Sequence, residues 1–164
     1  MTTHTDSATA VQLKTITIKR KMDLTVDQVW KAWSNPETFK QWWGPREYSC
    51  PYCSIDFSIG GKYLAAMRNK EGKDIWSTGT YREIVPQQKI VYTDSFADSE
   101  GRVVDSGYYD MPGMPLQLLV TVTVERSGDK TNMTLKHEGI PEEMYEDCIK
   151  GWQSSFDKME EIMF

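Results

Sequence analysis

The sequence predicts an α+β protein: a curved antiparallel sheet of about six to seven strands against a long C-terminal helix, with two short helices after the first strand. Three observations predict it. Leu13–Lys21 and Leu116–Glu125 alternate apolar and polar residues with the period of a half-buried strand. Short turns such as Pro86-Gln87-Gln88 and Ser127-Gly128-Asp129 separate successive strand-like runs, and turns that short join antiparallel neighbours. After Pro141 the period becomes helical, over a stretch long enough to cover one apolar face of such a sheet.

Each element has a local reason. In the first strand Ile16 and Ile18 share one face, and Thr15, Thr17 and Lys19 share the other. Thr25 opens the first helix. Thr25-x-x-Gln28 fits a capping box, Leu24 with Val29 fits the flanking hydrophobic staple, and Val26, Val29, Trp30 and Trp33 make one apolar stripe. Asn35-Pro36 restarts the chain as N-cap and first turn of a second helix, whose buried side is Phe39, Trp42 and Trp43 and whose stop is Gly44-Pro45. Strands are expected over Tyr52–Phe57, Lys62–Arg68, Ile75–Val85, Lys89–Ser95, Leu116–Glu125 and Lys130–His137, with Gly60-Gly61 turning the chain into the second of them. The last helix should run from Pro141 to about Ile162, about 33 Å at 1.5 Å per residue. Acidic residues crowd its start, suiting the positive end of its dipole, and Met144, Cys148, Trp152, Phe156, Met159 and Met163 make its apolar stripe.

Composition narrows the function. The chain has 164 residues with 19 basic and 24 acidic side chains, a net charge of −5 that disfavours nucleic-acid binding. Residues 1–12 read as a disordered tail before one domain over 13–164. The start of the chain lacks the pattern of a signal peptide, no run approaches the length needed to enter a membrane, and the 3 cysteines leave one unpaired. A cytoplasmic protein, monomer or homodimer, is the expectation.

The pattern as a whole resembles a known family. Val29-Trp30-x-Ala32-Trp33, Pro36-Glu37, Trp42-Trp43-Gly44-Pro45 and Asp56 with Gly60-Gly61-Lys62-Tyr63 carry the first half. Gly79-Thr80-Tyr81-Arg82-Glu83-Ile84-Val85-Pro86, Val122-Thr123-Val124, Thr131-x-Met133-x-Leu135 and Gly151-Trp152 carry the second. These resemble homologues of the C-terminal domain of the activator of the heat-shock-protein-90 ATPase, within the START-like (SRPBCC) superfamily of birch-pollen-allergen-like proteins. The resemblance implies a helix-grip fold, in which the sheet wraps the long helix. It does not fix a function, because members range over lipid carriers, small-molecule binders, chaperone regulators and a few enzymes of polyketide chemistry. The chain departs from the pattern at Ala97–Pro115, a connection longer than the resemblance implies. There Met111 and Met114 either form a lid over a pocket or belong to a mobile surface loop.

Other motifs are weighed on their chemistry. Cys50-Pro51-Tyr52-Cys53 has the form of a dithiol redox centre, but it leads into a strand rather than a helix, where a thiolate would be stabilised. No spacing supports a metal site, and no cofactor is expected. His137 is the natural candidate for a general base, yet it reads as a strand-end residue near solvent. Asp94, Asp98, Glu100, Asp105 and Asp110 read as a solvated acidic loop. What remains is aromatic and aliphatic. Trp42, Trp43, Tyr63, Met67, Trp76 and Tyr81 are candidates to line a ligand cavity. So are Tyr92, Leu118, Val120, Val122, Trp152 and Phe156. The competing reading is a packed core. The leading expectation is non-catalytic binding of a small hydrophobic or amphipathic ligand between helix and sheet. The alternatives are a chaperone-associated module that binds a partner ATPase, and a cyclase- or hydrolase-type enzyme using His137 or a pocket tyrosine. The extra N-terminal domain that the resemblance associates with eukaryotic activators is not seen in the sequence, which sets the chaperone reading second.

Overall fold

The computed structural model describes residues 12–111 and 113–163. The tail expected over residues 1–12 lies outside them except for Gln12. β1 (Leu13–Met22) leads into α1 (Val26–Ser34) and α2 (Pro36–Trp42). Six strands follow: β2 (Ser49–Ile55), β3 (Lys62–Arg68), β4 (Asp74–Val85), β5 (Lys89–Ala97), β6 (Leu118–Ser127) and β7 (Lys130–Pro141). A 3-10 turn over Glu142–Met144 then gives way to α3 (Tyr145–Met163). The seven strands form one antiparallel sheet in the order β1-β7-β6-β5-β4-β3-β2. This is the helix-grip arrangement.

The caps are those the sequence encodes. Thr25 Oγ1 accepts from Gln28 N–H, and Gln28 Oε1 accepts from Thr25 N–H at 2.8 Å, so the capping box closes. Asn35 Oδ1 accepts from Glu37 N–H at 2.9 Å, with Pro36 at the first position of α2.

Two boundaries differ from expectation in ways that matter. α3 begins at Tyr145 rather than Pro141, because Gly139 (φ +96°) forms a bulge that lets β7 stay paired with β1 through Pro141. His137 therefore sits mid-strand, opposite Ile16 on one side and Val120 on the other. The described residues of the long connection after β5 make specific contacts. Val103 bridges to Ala97, and a 3-10 turn over Ser106–Tyr109 is capped by Asp105. Tyr109 is buried, donating its hydroxyl to the Ala97 carbonyl and accepting from Trp76 N–H at 3.1 Å.

α3 is tied across the concave face of the sheet. Arg20, on the inward face of the edge strand β1, donates to Asp157 Oδ1 at 2.7 Å, to Gln153 Oε1 at 2.9 Å and to Glu160. At the other side, Arg46 makes a two-point contact with Glu161, and Lys158 Nζ donates to the carbonyls of Pro45 and Tyr48. Between these ties Phe156 and Met159 of the helix are fully buried, Phe156 against Trp42, in the same core as Ile18, Val122 and Leu135.

Candidate functional site

The interior is solid at one end and hollow at the other. The solid end is a continuous aromatic cluster. Trp42 is fully buried, packs edge-on against Trp33 and Phe39, and donates its indole N–H to the Ala32 carbonyl at 2.9 Å. Tyr81 and Tyr92 face each other across β4 and β5 at 6.0 Å, with Tyr63 against both. Burial pushes the phenols of Tyr63, Tyr81 and Tyr92 up, and the nearby Asp94 carboxylate adds to the effect for Tyr63 and Tyr92. All three stay protonated and serve as core.

The hollow end is a cavity of about 210 Å³ between α3 and the sheet. Cys148, Gly151, Trp152 and Ser155 bound it from the helix. Trp43, Gly44 and Pro45 bound it from the end of α2, and Met67, Ser77, Phe96 and Leu118 from the strands. Gly151 helps to make the space: a side chain there would project toward Pro45, whose Cγ would lie 3.5 Å from a Cβ. Met114 reaches the cavity from this connection, held by its N–H to Ser106 Oγ at 3.3 Å, whereas Met111 does not line it.

One corner of this cavity is polar. Asp94 on β5 and His137 on β7 flank β6, with Leu118 opposite Asp94 and Val120 opposite His137. Trp152 Nε1–H donates to His137 Nδ1 at 3.1 Å. Nδ1 is thus an acceptor, so the neutral ring carries its proton on Nε2. Nε2 lies 3.1 Å from Asp94 Oδ2 but off the line of a true hydrogen bond. Asp94 Oδ1 accepts from the Tyr63 hydroxyl at 2.9 Å. Tyr63 reaches across from β3 because its neighbour on β4 is Gly79. A Cβ there would stand 2.8 Å from the Tyr63 ring and 1.6 Å from the Thr93 carbonyl oxygen. The series Trp152–His137–Asp94–Tyr63 therefore links the helix to three positions of the sheet. With Nδ1 occupied and Nε2 protonated, His137 has no free lone pair, and Asp94 is the group able to accept from something in the cavity.

The sequence-predicted residues divide three ways. Trp43, Met67, Leu118 and Trp152 border the cavity, as does Met114. Trp42, Tyr63, Tyr81, Tyr92, Val120, Val122 and Phe156 are in the packed core, Tyr63 touching the cavity's polar corner only through its hydroxyl. Trp76 is on the other face of the sheet, against Tyr52 at 5.5 Å. No bulge separates Trp76 from Tyr81, so strand alternation sends the two to opposite sides. Two residues set aside in the sequence belong at the site. His137, read as near solvent, is 7% exposed, and Asp94, read as part of an acidic loop, is on β5 facing inward. The inward parity of Tyr92 already implied the position of Asp94, two residues on.

The cysteine pair lies in β2, and burial pushes both thiols up, Cys53 to about 12, the reverse of what an attacking thiolate needs. Cys148 in the cavity wall is raised for the same reason. Among the described residues no cluster of three or more His, Cys, Asp or Glu is placed to hold a metal ion, and no helix is long and apolar enough to cross a membrane.

The family described as "Activator of Hsp90 ATPase homolog 1-like protein" matches residues 23–163. The chain belongs to this family. Members and relatives of known structure share the whole architecture. A protein from Chromobacterium violaceum superposes with a TM-score of 0.76 at 25% identity, over 91% of this chain and 96% of its own. One from Arthrobacter aurescens gives 0.77 at 23% identity, over 94% and 92%. The family protein from Silicibacter pomeroyi gives 0.72 at 22%, over 92% and 97%. No curated protein matches the chain. Family membership supports a ligand-binding or regulatory module in general terms, so the particular role must be argued from the cavity.

Proposed function

We propose that this protein binds a small hydrophobic or amphipathic molecule in the space between α3 and the sheet, without catalysing a reaction on it. The observation that carries this reading is the cavity of about 210 Å³ bordered by Trp43, Met67, Leu118 and Trp152. Its lining is mostly apolar, and roughly 150 Å³ of apolar space suffices to take up benzene. Burying a Leu- or Phe-sized group yields about 1.5–3 kcal/mol, so a one- or two-ring ligand could bind without a charged anchor. The family description also names a chaperone ATPase, and the cavity supports our choice of ligand binding over that partner. The side chains at the cavity suit binding better than group transfer: the Cys148 thiol is held protonated, and Ser155 donates to the Gly151 carbonyl rather than to a base.

The test is native mass spectrometry of the purified protein, with titration of an apolar fluorophore. Binding that is lost in Gly151→Leu, whose side chain enters the cavity, supports the reading. Absence of any bound species, with no fluorophore uptake by the unmodified protein, sinks it.

A further inference from the structure

Asp94 is the one acidic residue on the cavity wall, and no cation stands beside it. Among the described residues no Lys or Arg borders the cavity. The basic side chain within reach is His137, whose ring is neutral because Nδ1 accepts from Trp152. Its Nε2 is sealed by protein neighbours, so His137 meets nothing in the cavity. Asp94 differs. Oδ1 takes the Tyr63 hydroxyl, Oδ2 accepts no aligned hydrogen bond, and the side chain keeps 22% of its surface exposed. Around this charge the walls are aromatic. Trp43 and Trp152 meet edge-on at 5.7 Å, and Phe96 follows Asp94 by two residues along β5. Ser77, opposite Phe96 on β4, adds a hydroxyl oxygen to the wall.

We propose that the cavity takes a cationic amine, an apolar body of one or two rings bearing one protonated amino group that pairs with Asp94. A carboxylate at an apolar wall without a counter-charge is costly. An ammonium supplies both the missing charge and a proton for Oδ2, and the Ser77 oxygen can accept another of its protons. The aromatic walls favour the same charge, since ring faces attract cations where aliphatic walls do not. A hydroxyl can donate to Oδ2 but leaves the charge uncompensated, and a carboxylate meets Asp94 charge to charge. The inference rests on the cavity-binding reading and names the chemistry of its ligand.

Calorimetric titration at neutral pH with naphthalenes carrying ethyl, hydroxymethyl, aminomethyl or carboxylate at the same ring position tests it. The amine should bind at least ~10-fold more tightly than the alcohol or the ethyl compound, the difference expected of a hydrogen bond between charged groups. The carboxylate should bind most weakly. The amine's preference should fade as pH rises through the ligand's own pKa, because the neutral amine brings no charge. Both readouts use the unmodified protein and decide the matter even where a variant fails to fold. In Asp94→Asn, which keeps an oxygen for the Tyr63 hydroxyl, the amine should lose its advantage over the alcohol when both are measured on that variant. Equal binding of amine and alcohol, a preference that persists for the neutral amine, or an undiminished preference in Asp94→Asn overturns the amine site alone. Failure of all the compounds to bind overturns it together with the cavity reading.

Discussion

Adjacent tryptophans play opposite parts. Trp42 is enclosed by Trp33, Phe39 and Phe156, so Trp42→Ala should cost about 3–5 kcal/mol in denaturant unfolding. Trp43 stacks on Phe39 with one side toward the cavity, so Trp43→Ala should cost less and show its main effect in probe binding. Equal destabilisation by the two would contradict this division. Gly151 and Gly79 differ in the same way. A methyl at Gly151 meets only ordinary contact with Pro45, and Gly151→Ala should raise stability by up to about 1 kcal/mol through helix propensity, seen as a higher Tm. A methyl at Gly79 would overlap the Thr93 carbonyl, so Gly79→Ala should destabilise by about 2 kcal/mol or more and disconnect Tyr63 from Asp94. At this scale the sequence was only partly legible. Aromatic character marked Trp43 and Trp152 as well as the purely structural Trp42 and Tyr81, because the same residue types fill cores and line cavities. The glycine in the middle of β4 was the overlooked signal: a missing side chain there tells which neighbour needs the room.

Elements were more legible than residues, because caps and alternation are local. The capping box at Thr25 and the Asn35-Pro36 restart appear in the structure as the sequence implies. Where prediction failed, a longer-range partner decided. β1 holds β7 in pairing past Gly139, which delays α3 and buries His137, and no local pattern in Lys136–Pro141 reveals that. The attachment of α3 depends on one such distant partner. Arg20 faces inward on β1 and reaches Gln153, Asp157 and Glu160 on consecutive turns. Arg20→Met keeps the apolar stem and removes the charge-assisted bonds, and should cost about 1–3 kcal/mol while increasing amide exchange in the second half of α3. Unchanged exchange there would show that apolar packing alone fixes the helix.

For the whole molecule, pH reports on the core. The neutral phenols of Tyr63, Tyr81 and Tyr92 are favoured by burial, so their folded-state pKa values lie above the unfolded value of about 10. Their contribution is complete below about 10 and is lost as pH rises through the folded values, because the unfolded chain releases these protons first. Alkaline titration should show some tyrosinate absorbance appearing only together with loss of far-UV circular dichroism. Ionisation of every tyrosine before any unfolding would contradict a sealed aromatic core. The sheet order has a consequence in time as well. Consecutive strands β1 and β2 stand at opposite edges, and the first strand's partner is β7, so Leu13 meets Pro141. Loop closure over such separations is slow to nucleate. During synthesis β1 stays without its partner until β7 has left the ribosome, and Arg20 waits longer still for the acidic turns of α3. The N-terminal strand thus cannot gain its partner before β7 is made, and until then its unpaired edge is open to pairing with another chain.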